Sequence, residues 1–224
     1  MTDVVALVPM RHHSERVPGK NFRQLGDRPL FAHIIDTLLT CSGLDEIVID
    51  TDSPEIRQLA SRRYGSAVIL LPRPDHLSDG TTSMNDVLLH DVGEIAAEIY
   101  LQTHSTNPFL RRETIEHAID MFVDESRHDA LFGVTRVQTR LYRADGEPIN
   151  HDPEALIRTQ DLEPIFEENS CLYLFRGETL TTKGKRTGSN PMMLEIPREE
   201  AWDIDEEIDF LVAECLWKAS RTQT

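Results

Sequence analysis

Cysteine is scarce in this chain of 224 residues, and Cys41, Cys171 and Cys215 are odd in number, widely spaced and not grouped with histidines at metal-ligand spacing. A disulfide scaffold and a Cys/His metal site are therefore not expected, and a reducing compartment is. No apolar run reaches the roughly 18 residues of a membrane span, and Met1 leads into a short strand without a basic leader segment, so a soluble, cytoplasmic protein is expected. Cations are the minority: 23 Lys and Arg against 39 Asp and Glu leave a formal charge of −16, which argues against nucleic acid or an anionic membrane as a partner. Two familiar nucleotide signatures are also missing, the G-x-x-x-x-G-K-[ST] phosphate loop and the G-x-G-x-x-G dinucleotide turn, so P-loop hydrolysis and hydride transfer lose support. No repeat, low-complexity tract or linker divides the sequence, and its length suits one α/β domain over residues 1–224.

What is present begins at the first apolar run. Val4–Val8 reads as a central parallel strand, and it empties into Pro9-Met10-Arg11-His12-His13-Ser14-Glu15-Arg16-Val17-Pro18-Gly19-Lys20-Asn21. From Arg11 to Arg28 the local balance reverses, with Arg11, Arg16, Lys20, Arg23 and Arg28 against only Glu15 and Asp27. With a Debye length of about 8 Å at physiological salt, such local cations outweigh distant surface carboxylates. In an open α/β sheet this loop reaches the crevice at the strand ends, so Arg11, Arg16 and Lys20 suit phosphate oxygens, with Ser14 and backbone N–H groups as neutral donors. The same loop also reads as a solvated basic turn between strand and helix. His12 and His13 are adjacent, so at most one faces a substrate, and neither is assigned a metal or general-base role.

Further along, strands and helices alternate. Apolar spacing predicts a helix from Pro29 through Leu39, a strand Glu46–Thr51, a helix from Pro54 to Gly65 capped by Asp52 or Ser53, and a strand Ala67–Leu71. Ser83 and Asp86 form a capping pattern before a helix to about Ala97, followed by a strand Ile99–Thr103, a helix Glu113–Val123 and a strand Ala130–Val137. The expected fold is α/β, a Rossmann-like, mostly parallel mixed sheet flanked by helices with right-handed crossovers. Asp145-Gly146 between short apolar stretches signals a hairpin, read as an arm or insertion over residues 138–168. Ser170–Phe175 and Met192–Ile196 read as further strands, and Ile208–Trp217 as a closing helix.

Three later segments carry chemistry. Gln102-Thr103-His104-Ser105-Thr106-Asn107 ends a strand with neutral groups that read hydroxyls well, or that simply satisfy the turn. Asp203 and Asp205 flank Ile204; in a strand both point to one face and suit Mg²⁺, the alternative being that Asp205 is no more than a helix cap. Arg73, between Pro72 and Pro74, could be an exposed loop cation.

Residues 11–21 spell R-x-x-S-x-R-x-P-G-K-N, which resembles the sugar-acid cytidylyltransferases, the enzymes that activate sialic acids and 3-deoxy-manno-octulosonate as CMP esters. Arg11, Ser14, Pro18, Gly19, Lys20 and Asn21 match the sialic-acid branch, Arg16 is closer to the octulosonate branch, and His12 and His13 stand where the former often has glycines. The resemblance implies CTP and an acidic sugar as substrates and a homodimer in which an arm covers the neighbour's site. It also implies Arg11, Lys20 and Asp205 as catalytic groups, nucleotide contacts by Arg11, Ser14, Arg16, Lys20, Asn21 and a base-reading Arg73, and Mg²⁺ on Asp203 and Asp205. Gln102, Ser105 and, from an E-N-G-x-x-Y-like strand with Ser170 replacing glycine, Asn169 and Tyr173 are implied acid-sugar contacts; Tyr173 also suits a core. The remaining alternatives are a nucleotidyltransferase for a sugar phosphate or another acid, and an inactive nucleotide-binding regulator.

Overall fold

The structure, a computed structural model, describes residues 3–222. Its centre is β1 (Val4–Met10), buried at every position, as the continuous apolar run demands of a strand covered on both faces. Beside it lie β4 (Glu46–Thr51) and β6 (Ile99–Thr103), both parallel to it, and β5 (Ile69–Pro72) pairs parallel with β4. Between β1 and β4 come a two-residue ribbon, β2 (Gln24–Leu25) with β3 (Arg28–Pro29), and helix α1 (Leu30–Leu38). Helices α2 (Pro54–Tyr64) and α3 (Met84–Glu94) make the next crossovers, and each opens on the serine that the sequence offers: Ser53 Oγ accepts from Ile56 N at 3.2 Å and Ser83 Oγ from Asp86 N at 3.2 Å.

After α4 (Arg112–Val123) the chain changes direction. β7 (Ala130–Val137) and β8 (Ile165–Arg176) run antiparallel, β8 also pairs antiparallel with β6, and after helix α5 (Gly177–Lys183) strand β9 (Pro191–Glu195) closes the sheet beside β7. The order is β5-β4-β1-β6-β8-β7-β9, a mixed sheet of seven strands with the parallel half holding β1. One face packs Phe31, Ile35, Ile56, Ile115 and Phe122 from α1, α2 and α4; the other packs Leu88 and Leu180 from α3 and α5. Residues 138–164 leave the sheet between β7 and β8, closed by a Tyr142–Pro148 bridge and the Asp145-Gly146 turn. The expected arm is thus four residues shorter, because residues 165–168 already pair with β7.

β8 carries an irregularity that the sequence motif foreshadows. Phe132 pairs with Tyr173 but Val134 with Glu168, so Asn169, Ser170 and Cys171 bulge opposite Gly133. Ser170 has φ 58°, where a glycine rests more easily, and it occupies the glycine position of the E-N-G-x-x-Y pattern. A Cβ on Gly133 would stand 2.7 Å from Asn169 Oδ1 and 2.6 Å from Ile196 Cδ1. Gly133→Ala should therefore destabilise by about 1–3 kcal/mol through overpacking, read as a lower midpoint in urea; an unchanged midpoint would mean that the bulge yields freely.

A third apolar cluster sets up the site. Helix α6 (Glu207–Thr222) brings Phe210 and Ala213 against Leu25, Leu30, Val17 and Ile204. Val17 belongs to the first loop and Ile204 separates the two aspartates, so one small core locks loop and carboxylates together.

Candidate active site

A cavity of about 820 Å³ opens at the carboxyl end of β1, the place where open α/β sheets gather ligands. Arg11, His13, Ser14, Arg16, Lys20, Asn21, Arg73, His104, Ser105, Arg186, Asp203 and Asp205 are among its lining residues. The first loop turns at Val17-Pro18-Gly19-Lys20: Lys20 N donates to the Val17 carbonyl at 3.1 Å, and Gly19 takes φ 67°, as the third position of a type II turn after proline requires. Ser14 Oγ accepts from Val17 N at 3.3 Å. Asn21 is a brace, with Nδ2 donating to the Arg11 carbonyl at 2.9 Å and Oδ1 accepting from Ser105 Oγ at 2.7 Å. His12 turns away from the cavity: its backbone N donates to Asp52 Oδ1 at 2.7 Å and its ring meets Ser53 and stacks on Phe22. Those contacts tie the loop to the start of α2, while His13 lines the cavity.

Lys20 meets the acidic pair directly. Its Nζ donates to the Ile204 carbonyl at 2.6 Å and lies 3.5 Å from Asp205 Oδ1, which Arg16 Nη2 also approaches at 2.8 Å. Burial lowers the Lys20 pKa, with Asp205 and Asp203 opposing the shift. Burial raises that of Asp203, and its Oδ1 is enclosed without a hydrogen-bond partner among the described residues. The pair is not in a strand, as the spacing suggested; residues 201–205 are irregular, pinned by Ile204 N on the Thr106 carbonyl at 3.0 Å, yet both carboxylates reach the cavity. Asp205 does not cap α6 either. Asp209 does, its Oδ2 accepting from Asp205 N and Glu206 N at 3.0 and 2.7 Å. Arg11 is exposed, and its guanidinium has no hydrogen-bond or ion-pair partner among the described residues.

Arg73 is not a loose surface cation. It is 6% exposed, with Nε donating to Asp50 Oδ2 at 2.8 Å. Behind it Asp91 is fully buried, its carboxylate has no hydrogen-bond partner among the described residues, and burial together with the Asp50 charge pushes its pKa up to about 8 against the attraction of Arg73. An acid whose pKa is raised on folding favours the protonated folded state, so its contribution is intact at low pH and is lost as pH climbs from about 4 through 8. Asp91→Asn should remove that decline: the stability difference between variant and parent should grow in the variant's favour by up to about 1.4 kcal/mol per pH unit across that window. Urea titrations at pH 5 and pH 8 measure it, and an equal difference at both would place Asp91 outside the linkage.

Of the expected sugar contacts Gln102, Ser105, Asn169 and Tyr173, Ser105 lines the cavity and the other three do not. Gln102 is fully buried, its Nε2 donating to the Thr103 carbonyl and meeting His104 Nε2 at 3.1 Å, its Oε1 accepting from Arg186. Tyr173 is fully buried and donates its hydroxyl to Glu168, and Asn169 is consumed at the bulge by Thr135 and Cys171 N. Their places on the wall go to Ser170, His104 and Arg186. Burial, with the charges of Arg186 and Lys20, pushes the His104 pKa down to about 3, so its ring is neutral. Sequence reasoning missed Arg186, Asp50 and Asp91. The run Lys183-Gly184-Lys185-Arg186 was a usable signal, being a local reversal of charge like that of the first loop.

Residues 5–221 match the sequence profile of the family described as cytidylyltransferase. The chain is similar to the CMP-N,N'-diacetyllegionaminic acid synthase of Legionella pneumophila, 29% identical over 231 residues with 97% of each chain covered. It is similar also to the pseudaminic acid cytidylyltransferase of Campylobacter jejuni, 23% identical over 96% of this chain and 97% of that one. Among solved structures, a CMP:2-keto-3-deoxy-manno-octonic acid synthetase complexed with CTP superimposes with a TM-score of 0.75 at 16% identity, covering 98% of this chain and 100% of the other, which shows the shared fold. Since the match extends from β1, ahead of the first loop, to α6, beyond the paired aspartates, the chain belongs to the cytidylyltransferase family.

Proposed function

We propose that this chain transfers CMP from CTP to the anomeric hydroxyl of an acidic 2-keto sugar of the nonulosonic type, giving a CMP-sugar acid and pyrophosphate. One observation carries the chemistry: the unpaired Arg11 and the Lys20–Asp205 contact face one cavity, so cations and carboxylates for a polyphosphate converge on one point. The acceptor oxygen forms its bond to the α-phosphorus as the bond to pyrophosphate breaks, and the hydroxyl proton is released. Such transfers need little covalent help and are accelerated by position and fixed charge. Arg11, Arg16 and Lys20 supply positive charge to the triphosphate, Ser14 and the loop N–H groups add neutral donors, and Arg73, held by Asp50, offers a fixed donor edge to the base.

Asp203 and Asp205 would hold Mg²⁺. The enclosed, partnerless Oδ1 of Asp203 fits a hard cation, and Asp205 is engaged only by cations and so is free to exchange partners. Mg²⁺ bound there would neutralise charge developing on the phosphates. Among the described residues no cluster of three or more His, Cys, Asp or Glu side chains stands ready as a metal cage, so substrate oxygens and water would complete the shell.

The excursion 138–164 supports a homodimer in which it covers the neighbouring site, for it exposes Tyr142, Ile149, Leu156 and Ile157, with Leu156 80% accessible. Three free cysteines favour a reducing, cytoplasmic setting. No helix among the described residues is long and apolar enough to cross a membrane. Pyrophosphate release from CTP, assayed over a panel of acidic sugars and sugar phosphates, tests the reading. Turnover confined to the acids is expected; turnover of sugar phosphates alone, or CTP binding without any turnover, would overturn it.

A further inference from the structure

One cation of the cavity wall has no part in the chemistry above. Arg186 lies in the turn after α5, where its backbone N donates to Asn85 Oδ1 of α3 at 3.1 Å. Its guanidinium lies over the Tyr173 ring, 3.6 Å from Cζ to the ring centroid, and Nη1 donates to Gln102 Oε1. Tyr173 and Gln102 are both fully buried, and each is fixed by a further partner, Glu168 for the phenol and the Thr103 carbonyl for the amide. One face and one nitrogen of the guanidinium are therefore immobilised, while the side chain lines the cavity. No carboxylate pairs with it among the described residues, and Glu168, whose charge acts on it, accepts a hydrogen bond from the Tyr173 hydroxyl. Enclosing a permanent charge without a counter-ion is costly, and a bound anion would relieve that cost.

The geometry points to Arg186 as the group that binds the acceptor's carboxylate and so selects acids over neutral sugars. The inference rests on the proposed transfer to an acidic sugar and adds the residue that reads the acid. A carboxylate suits the site better than the triphosphate does, for two reasons. Arg11, Arg16 and Lys20 already face the triphosphate from the first loop. Arg186 is also built into a different part of the wall: it is bonded to Gln102, whose Nε2 meets His104 at 3.1 Å, and among the described residues it shares no hydrogen bond with the first loop or with the aspartate pair. A guanidinium fixed by stacking presents two parallel N–H groups to the two carboxylate oxygens, which a lysine ammonium cannot do. Gln102 and Tyr173 then act as positioning residues: they touch Arg186 and, through it, the acid.

Steady-state kinetics on the full chain test this, using N,N'-diacetyllegionaminate, pseudaminate, N-acetylneuraminate and 3-deoxy-manno-octulosonate as probes, each also as its methyl ester. Arg186→Ala should raise the KM of whichever acid the parent converts by about tenfold, the scale of one lost charge-assisted contact, with the KM of CTP changed less than about twofold. The parent should prefer acid to ester, and the variant should lose that preference. Arg186→Lys, which keeps the charge and loses the fork, should fall between, and it decides the matter if the alanine variant no longer binds CTP. An unchanged acid-to-ester ratio in variants that still bind CTP would overturn the role of Arg186 alone. No conversion of any acid by the parent would overturn the transfer reading as well.

Discussion

Lys20→Met should lower kcat/KM for CTP by about a hundredfold while the folded chain persists. The side chain is only 12% exposed, and its ammonium is fixed by the Ile204 carbonyl at 2.6 Å and by Asp205 at 3.5 Å, so it waits in the cavity already oriented. A unit charge pair at 4 Å is worth about 4 kcal/mol at an effective dielectric near 20, and a hundredfold loss, about 2.7 kcal/mol, needs only part of it. Methionine keeps the length and the apolar stem beside Ile204, so the loss reports charge more than packing. A pH signature accompanies it. Burial holds the lysine pKa below its ordinary 10.5, so the charged form fails as pH rises and the alkaline limb of kcat/KM for CTP should fall below that value in the parent. Steady-state assays with CTP varied against a saturating acid measure both, and a change under about threefold would remove Lys20 from the nucleotide site.

The first loop was legible because its signals are local. A continuous apolar run, a Pro-Gly turn and five cations against two acids sit within one stretch, and the structure places Arg11, Ser14, Arg16, Lys20 and Asn21 on one cavity. Strands β4 and β6 and the serine caps of α2 and α3 were legible for the same reason. What could not be read were pairings across the sequence. Asp50 lies 23 positions from Arg73, and Gln102 lies 84 from Arg186. The resemblance turned Gln102, Asn169 and Tyr173 toward a sugar, yet each side chain is already committed, Asn169 because the bulge of β8 leaves Cys171 N and Thr135 Oγ1 for it to satisfy. The two-residue strands β2 and β3 and the short α5 carried too few residues for a period to show. The aspartate pair illustrates the remaining difference: a strand was the simplest way to aim both carboxylates together, but an irregular segment does so once Ile204 is buried between Val17, Leu30 and Phe210.

Asp205→Asn should lower turnover at least tenfold, about 1.4 kcal/mol of barrier, and leave the fold intact. The second half follows from Asp209, which caps the start of α6, and from Ile204, whose burial and bond to the Thr106 carbonyl hold the segment whatever side chain stands at 205. The first half follows from what the carboxylate touches. One oxygen serves both Arg16 at 2.8 Å and Lys20 at 3.5 Å, and asparagine retains an acceptor there while removing the charge. Both cations then lose an anchor. Lys20 loses the negative charge that most strongly opposes the effect of its burial, so its pKa should fall further and the alkaline limb of kcat should move to lower pH in the variant. Because the two residues act through one contact, Lys20→Met and Asp205→Asn should combine with less than the product of their separate losses, the mark of a shared interaction. Near-normal turnover of Asp205→Asn at saturating Mg²⁺ would take the carboxylate out of the chemistry, and a strictly multiplicative double variant would show that the two groups act apart.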